Sequence, residues 1–233
     1  MGVNSSHKNR KVMAGIALAA IASLPLAACT SNSDGSETSS KSSETSSKNQ
    51  VAKPVARINA LSGESTAIAL DQGFTDALTS LKLTPGVVDD ATLESGSLIF
   101  PITGGNVTYF KPGTAKPYVI GQIQHEGSGL SLEAAGTKVE LTNLNVDPGV
   151  SRVYGDVSVN GKTAVTSAFL FQLRGATLKP LQSEGDTAIL EGTEVFISPV
   201  AAELLNSTFK TDAVTEDLLV GVAKITVNTT PAS

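Results

Sequence analysis

The stretch that decides the fold is YVIGQIQHEGSGLSLEAAGTKVELTNLNVDPGVSRVYGDVSV, which runs from Tyr118 to Val159. Apolar and polar residues alternate along it in short segments. Alternation with period two places the apolar side chains on one face of a strand. The alternation slips between Leu141 and Leu144, which predicts a bulge or a strand break near Asn143. The stretch therefore predicts successive antiparallel strands of a β-sandwich or a barrel-like domain.

The same alternation continues on both sides of this stretch. The further strand candidates are SLIFPI, NVTYF, TAVTSAFLFQL, TAILEG, TEVFIS, the final strand DLLVGVAKITV, and two short strands within VARINALSGESTAIAL. After Thr84-Pro85-Gly86 the pattern changes from helical to period two. The length and apolar character of the final strand predict a central or sheet-bridging position.

Two segments have helical rather than strand periodicity. In residues 71–82, DQGFTDALTSLK, apolar residues fall on one helical face, and Asp71 is a suitable N-cap. A second helix is predicted over 199–209, with Ser198 as its N-cap and Pro199 at its first position. The predicted fold class is therefore mainly β, with two short α-helices.

Turn residues divide the strands. Asn160-Gly161 lies between two strand candidates and favours a type I′ turn, in which both residues have positive φ. Gly127-Ser128-Gly129 predicts another turn, so that the preceding strand would end at His125. Asp147 precedes Pro148-Gly149 and is interpreted as a turn residue, with calcium binding as the alternative.

The N-terminus has the three parts of a signal peptide. It begins with a basic head that contains Lys8, Arg10 and Lys11. The apolar run from Val12 to Ala28 follows, and it is shorter than the ~20 residues of a membrane-spanning helix. It ends in Leu26-Ala27-Ala28-Cys29, which resembles the lipobox of bacterial lipoproteins, and Cys29 is the chain's only cysteine. The resemblance implies cleavage before Cys29 and acylation of its thiol with lipid chains such as palmitate, which would anchor the protein to the membrane.

The predicted organisation has three parts. Residues 1–28 are the signal peptide, 29–50 are the lipid anchor and a flexible linker rich in Ser and Thr, and 51–233 are one β-rich extracytoplasmic domain. Removing the signal peptide takes three of the 17 basic residues and leaves 14 against 22 acidic ones. This charge disfavours nucleic acid as a partner. The expected location is the extracytoplasmic face of the cell membrane, with the lipid bilayer as one partner.

No catalytic motif is present in the sequence. An acylated Cys29 is no nucleophile, and a Ser–His–Asp triad would have to use His125, the one histidine outside the signal peptide. A pair of carboxylates could act as in glycosidases, but the chain has few of the aromatic residues that line sugar clefts. A zinc site with several Cys or His ligands is excluded by composition. We therefore expect no enzyme activity, no metal and no cofactor.

Three residues are the candidates for ligand binding: His125, Tyr109 and Tyr118. For His125 the alternatives are a partly exposed side chain bonded to a loop carbonyl, an axial or second-shell haem residue, and a proton-transfer residue. The two tyrosines flank the KPGTAKP loop. They pack either against the core or edge of the sheet, or form a binding platform.

One segment resembles the HtaA domain, a family of β-rich haem-binding modules on the cell surface of actinobacteria. The pattern is Ile120-Gly121-x-Ile123-x-His125-x-Gly127, Leu130-x-Leu132, Leu141-x-Asn143-x-x-Val146 and Gly155-Asp156-Val157. In that family a haem-ligating tyrosine is expected in or near the helix before the sheet, and FTDALTSL of this chain has none. A later family tyrosine, near the second helix, is matched by Phe209. Of the family's functional residues, His125 alone carries over.

These observations predict a non-catalytic, envelope-anchored lipoprotein that displays a β-rich binding module for an unknown ligand or envelope component. An HtaA-like haem-binding or haem-transfer protein is the first alternative. A structural or adhesive envelope protein is the second.

Overall fold

The structure is a computed structural model that describes residues 52–230, and its main feature is an antiparallel sheet that curls into a half-barrel. The strands are β1 (Pro54–Ile58), β2 (Ser65–Leu70), β3 (Thr84–Asp89), β4 (Thr92–Glu94), β5 (Ser97–Pro101), β6 (Gly104–Phe110), β7 (Val119–Ala134), β8 (Thr137–Asp147), β9 (Arg152–Val159), β10 (Lys162–Arg174), β11 (Gln182–Glu184), β12 (Thr187–Ile197) and β13 (Leu219–Asn228). The helices are α1 (Gln72–Ser80) and α2 (Pro199–Phe209), and a 3₁₀ turn spans Gly175–Thr177. The predicted fold class, mainly β with two short helices, is confirmed.

Strand order in the sheet is β1-β6-β7-β8-β9-β10-β12-β13-β2-β5-β4, with β3 beside β7 and β11 beside β12. The strands β7 to β10 pair in chain order because tight turns join them. Asn160 and Gly161 both have positive φ, as predicted for a type I′ turn. Asp147 accepts a hydrogen bond from the backbone of Val150 at 3.3 Å, as expected of a turn residue. β13 lies between β12 and β2, so its predicted central position is also confirmed.

The predicted turn at Gly127-Ser128-Gly129 is wrong. β7 runs through it as one strand, with a bulge where its pairing with β8 shifts between His125 and Gly129. The glycine at 129 is needed for close approach, because a Cβ there would overlap the carbonyl oxygen of Leu141 on β8. The strand structure begins at Thr84-Pro85-Gly86 and not after it, as the change of pattern indicated. These residues begin β3, which pairs with the second half of β7.

Bulges in β8 and β10, the two strands that flank β9, curl the sheet. The bulge predicted near Asn143 is present in β8, and β10 has another at Ser167; both residues have positive φ. Asp156 on β9 joins the two, because its carboxylate accepts from the Ser167 N–H at 3.0 Å and the Asn143 side-chain amide at 2.9 Å. Each bulge bends its own strand, and side-by-side bulges bend the sheet in one direction.

Both helices begin where the sequence predicts. Asp71 caps α1 by accepting from the N–H of Gly73 at 2.8 Å, and Ser198 caps α2 by accepting from the N–H of Ala201 at 3.0 Å. α1 ends two residues before the predicted boundary, with Leu81 as its C-cap. α1 contacts β13 and α2 contacts β10, so both cover the sheet without entering its interior.

The signal peptide, Cys29 and the linker lie outside the described residues, so these predictions and the domain boundaries stay predictions. Within residues 52–230, neither helix has the length and apolar character that would let it cross a membrane.

Candidate functional site

The curled sheet encloses an apolar cavity of about 340 Å³. Strands from both flanks of the sheet contribute, because residues that point inward on β2, β5 and β13 face those of β7 to β10. The polar side chains among its lining residues are Thr66, Tyr118, His125, Ser151 and Thr193, and none of the lining side chains is an acid, a lysine or an arginine. The cavity therefore offers mainly dispersion and hydrophobic contact to an occupant.

His125 lies in the wall of this cavity and is 2% exposed. Its Nδ1 is 3.1 Å from the carbonyl oxygen of Leu144 and its Nε2 is 2.8 Å from Oγ1 of Thr66. A carbonyl can only accept, so Nδ1 carries the proton, and Nε2 accepts a hydrogen bond from the Thr66 hydroxyl. The prediction of a partly exposed histidine at a strand end is wrong. Because β7 continues past the bulge, the residue is buried within the strand and bonds to a strand carbonyl.

Burial lowers the pKa of His125 to about 4, and the hydrogen bond to the Leu144 carbonyl opposes this shift only in part. The ring is therefore neutral at pH 7. The Phe100 ring meets it edge-on, with ring centroids 6.3 Å apart. Each ring nitrogen of this neutral imidazole makes one hydrogen bond, to Leu144 on β8 and to Thr66 on β2.

Tyr118 lines the same cavity as His125, whereas Tyr109 lies behind it. The Tyr118 hydroxyl donates to the carbonyl of Gly175 at 3.0 Å. Burial, followed by the nearby Tyr109 phenol, raises the pKa of Tyr118. The two rings pack edge-to-face with centroids 6.0 Å apart, and Tyr109 is 6% exposed and lines a second cavity of about 30 Å³. Of the three predicted residues, His125 and Tyr118 line the cavity, and Tyr109 packs against the Tyr118 ring from behind.

The mouth of the cavity lies at the end of the half-barrel where β7 begins. Among the lining residues, Pro117 and Ala176 are the exposed ones, while Thr66 and His125 at the other end are buried. Pro148 and Ser151, from the turn between β8 and β9, complete the rim. This placement gives the cavity one open end and one closed end.

Sequence reasoning missed Thr66, the hydrogen-bond partner of His125. It lies on β2, 59 residues earlier in the chain, and a single threonine in an alternating strand carries no signal of its own. The apolar lining was missed for a related reason. Residues that line a cavity and residues that fill a core follow the same period-two pattern.

The two side chains of the cavity that could ligate a haem iron, His125 and Tyr118, are already hydrogen-bonded within the protein. An iron atom could use Nε2 of His125 only after the hydrogen bond from Thr66 was broken, and the Tyr118 hydroxyl is held by Gly175. Within the described part of the chain, no group of three or more His, Cys, Asp or Glu side chains is placed to hold a metal ion. In this arrangement the residues present do not fit an axially ligated haem.

No family model matches the chain, and no curated protein matches it. A solved structure is similar in fold: the C-terminal domain of HtaA from Corynebacterium glutamicum, at 11% sequence identity and a TM-score of 0.51. The match covers 72% of this chain and 98% of that domain. At this identity the similarity shows a shared fold, the same fold that the resemblance in the β7–β9 sequence implied.

Proposed function

We propose that this protein is a non-catalytic binding module, held by lipid at the extracytoplasmic face of a membrane, that carries a small apolar molecule in its half-barrel cavity. The observation that carries the proposal is the cavity itself. Its volume of about 340 Å³ lies within the range of roughly 300–1,000 Å³ that small-molecule sites occupy. Its walls are apolar, and the side chains of Thr66, His125 and Tyr118 in them are hydrogen-bonded within the protein.

The size of the cavity argues against a simple packing defect. Protein interiors are close-packed, and empty space has a cost in stability. Leaving about 340 Å³ of apolar space empty would cost roughly 8 kcal/mol at about 24 cal/mol per Å³, an upper figure because the mouth is open. The free energy of unfolding of a whole domain is only about 5–15 kcal/mol. A cavity this costly is expected where an occupant restores the missing contacts.

Membrane attachment in this proposal rests on the sequence. The lipobox ends at the chain's only cysteine, and a Ser- and Thr-rich segment follows it. The absence of catalysis is supported by the surroundings of His125, which bonds to Thr66 and to a backbone carbonyl and faces no acid in the cavity wall. A histidine in such a setting lacks the base–nucleophile geometry of hydrolases.

A haem carrier is the second candidate function. The similarity in fold to the HtaA domain favours it. The engaged nitrogens of His125 and the engaged hydroxyl of Tyr118 disfavour it, because binding iron would take either side chain from its hydrogen-bond partner, Thr66 or the Gly175 carbonyl.

Ligand binding is tested with the natively purified protein. Mass spectrometry of the released small molecules is expected to show a bound apolar compound. In parallel, the uncharged fluorescent probe 1-N-phenylnaphthylamine is expected to bind at one site with a blue-shifted, enhanced emission.

Two matched variants localise the probe. Val153→Phe fills cavity space just inside the mouth and is expected to weaken probe binding by at least about tenfold, equivalent to about 1.4 kcal/mol. Val222→Phe makes the same change at an exposed position on β13 and is expected to leave binding unchanged. Equal probe binding in both variants and the native protein would refute the cavity as the site.

A further inference from the structure

We propose that the edge of the half-barrel at which the cavity opens docks on the lipid bilayer, so that the apolar ligand passes between membrane and cavity without crossing water. This inference rests on the proposed function. It adds to the lipid anchor a second contact with the membrane, made by the folded domain itself.

The cavity opens at the mouth edge, which is the edge of the sheet where β6, β8 and β10 end and β7 and β9 begin. These five strands share this edge because they pair antiparallel in chain order. β1 begins at the same edge, since its first residue, Pro54, pairs with Phe110, the last residue of β6. The segment of chain that leads from Cys29 therefore joins the domain at the mouth edge.

The predicted tether is short compared with the strands. Cys29 lies about 25 positions before Pro54, and a Ser-rich linker of that length has an r.m.s. span of roughly 25–30 Å. β8 has 11 residues and extends roughly 36 Å from the opposite edge to the mouth edge. An acylated Cys29 would thus hold the mouth edge close to the bilayer, and on average the opposite edge would point away from it.

Apolar side chains are exposed along the mouth edge. Val150 is 54% exposed at the turn between β8 and β9, and Val55 is 61% exposed at the start of β1. Ile120, on the outer face of β7 beside that turn, is 37% exposed. Pro117 and Ala176, which line the opening itself, are exposed as well. These five residues form an apolar rim around the mouth.

The opposite edge has a different composition. Its turns are Ala135-Gly136 between β7 and β8 and Asn160-Gly161 between β9 and β10. Neither of these two described turns exposes a large apolar side chain. Gly and Asn are usual in turns that face water, whereas a valine at a turn gains free energy when lipid covers it. The apolar rim therefore lies at the edge where the tether enters, and the two observations are independent.

The anchor and the apolar rim act together in this arrangement. A few small apolar side chains alone bind a bilayer weakly, because each buries little area. A covalent anchor makes the contact intramolecular, and the high effective concentration that a short linker provides allows a weak contact to form. An apolar molecule that leaves the bilayer at this edge enters the cavity without exposing its surface to water.

The first test anchors the protein chemically, so that it does not depend on acylation. Residues 29–233, produced without acylation, have one thiol, at Cys29, which is coupled to a maleimide lipid in phosphatidylcholine vesicles. The chain has no tryptophan, so Val150→Trp introduces a single reporter at the apolar rim. The matched control is Val165→Trp, at a position on β10 that is 36% exposed and pairs with Val157 in the half of β9 far from the mouth edge.

Bromine on the lipid acyl chains quenches tryptophan that reaches the bilayer. The emission of Val150→Trp should be blue-shifted and should fall by about half in brominated vesicles, because tryptophan at a docked edge lies at the membrane interface. The emission of Val165→Trp should stay that of an exposed ring and be the same with and without bromine. High salt should leave both results unchanged, since the contact is apolar.

The second test follows the ligand with unanchored Cys29→Ser chain. The probe 1-N-phenylnaphthylamine is quenched in brominated vesicles, and its emission recovers as it enters the cavity. Transfer by contact should become faster in proportion to the vesicle concentration, whereas transfer through water would not. Ile120→Ser/Val150→Ser should slow transfer at least about tenfold, because two apolar contacts with lipid are lost. The affinity of this variant for the probe in solution should not change, since neither residue lines the cavity. Val87→Ser/Val165→Ser, at exposed valines far from the mouth edge, should behave as the native chain does.

The outcomes separate this inference from the proposed function. If the probe does not bind in solution, the proposed function fails, and the passage of ligand fails with it even where tryptophan reports docking. If the probe binds but the two tryptophan variants are quenched alike or not at all, only this inference is overturned. A transfer rate independent of vesicle concentration would overturn it too. So would docking that needs anionic lipid and disappears at high salt, because the contact would then be electrostatic.

Discussion

Acidification should destabilise this protein in part through protonation of one buried residue, His125. Its imidazole is neutral in the folded state, with a pKa lowered by burial to about 4, whereas an unfolded chain restores a value near ~6.5. Above about pH 6.5 the ring is neutral in both states and contributes no pH dependence. As the pH falls below that value, the unfolded chain binds a proton first, so unfolding is favoured.

The loss of stability grows from about pH 6.5 and is complete near pH 4, where the folded state is protonated as well. A difference of about 2.5 pKa units at 1.36 kcal/mol per unit amounts to roughly 3 kcal/mol. No acid, lysine or arginine lines the cavity within the described residues, so no neighbouring charge offsets this term. This loss of roughly 3 kcal/mol is a large fraction of the free energy of unfolding of an ordinary domain, about 5–15 kcal/mol.

The assay is urea unfolding between pH 7 and pH 4 of the native chain and of His125→Gln. Glutamine is neutral at every pH and can still donate to the Leu144 carbonyl. The variant's free energy of unfolding is therefore lower than that of the native chain, by an amount to which residue 125 adds no pH dependence above pH 6.5. Carboxylates that titrate in this range do so in both proteins and cancel in the comparison. The native chain should lose about 3 kcal/mol more than the variant. Parallel stability curves for the two proteins would show that His125 is not buried as a neutral ring.

Three further predictions concern the anchor, the linker and haem. Cys29→Ala should abolish palmitate labelling and leave uncleaved precursor or shed protein, and a variant that still takes up the label would contradict the lipobox. Limited proteolysis should cleave within 30–50 and leave 55–229 as one resistant unit, whereas two stable halves of that region would contradict a single domain. Haemin titrated into the protein should give no sharp, stoichiometric Soret shift, because the donors at His125 and Tyr118 are engaged. A shift that disappeared in His125→Ala would make haem the ligand.

Features that depend on local geometry could be predicted from the sequence. Asn160-Gly161 predicts its turn because few residue pairs accept positive φ at both positions. The bulge at Asn143 is visible because an extra residue inverts the alternation that follows it. Asp71 and Ser198 mark the helix starts because their side chains accept from backbone N–H groups of the first turn, which have no partner within the helix.

Features that depend on distant strands could not be predicted. A glycine in the sequence can indicate either a tight turn or a close approach between two strands. At Gly129 it is the close approach of Leu141 on β8 that requires glycine, and Leu141 is distant in the sequence. The burial of His125 likewise depends on β2, which comes earlier in the chain and reaches it only after the sheet has curled. The prediction of an exposed histidine followed directly from the mistaken turn, since a strand end is exposed and a strand interior is not.

The hydrogen bond between His125 and Thr66 explains why a polar pair occupies an otherwise apolar wall. It joins β7 to β2, which are not neighbours in the sheet and belong to opposite flanks of the curl. Phe100 on β5, beside β2, adds its ring edge to the same contact. Apolar side chains at these positions would tolerate a range of separations between the flanks, whereas a hydrogen bond of 2.8 Å holds at one separation. The pair therefore fixes the width of the closed end, and the ligand that we propose would enter a cavity already shaped to receive it, which lowers the entropic cost of binding.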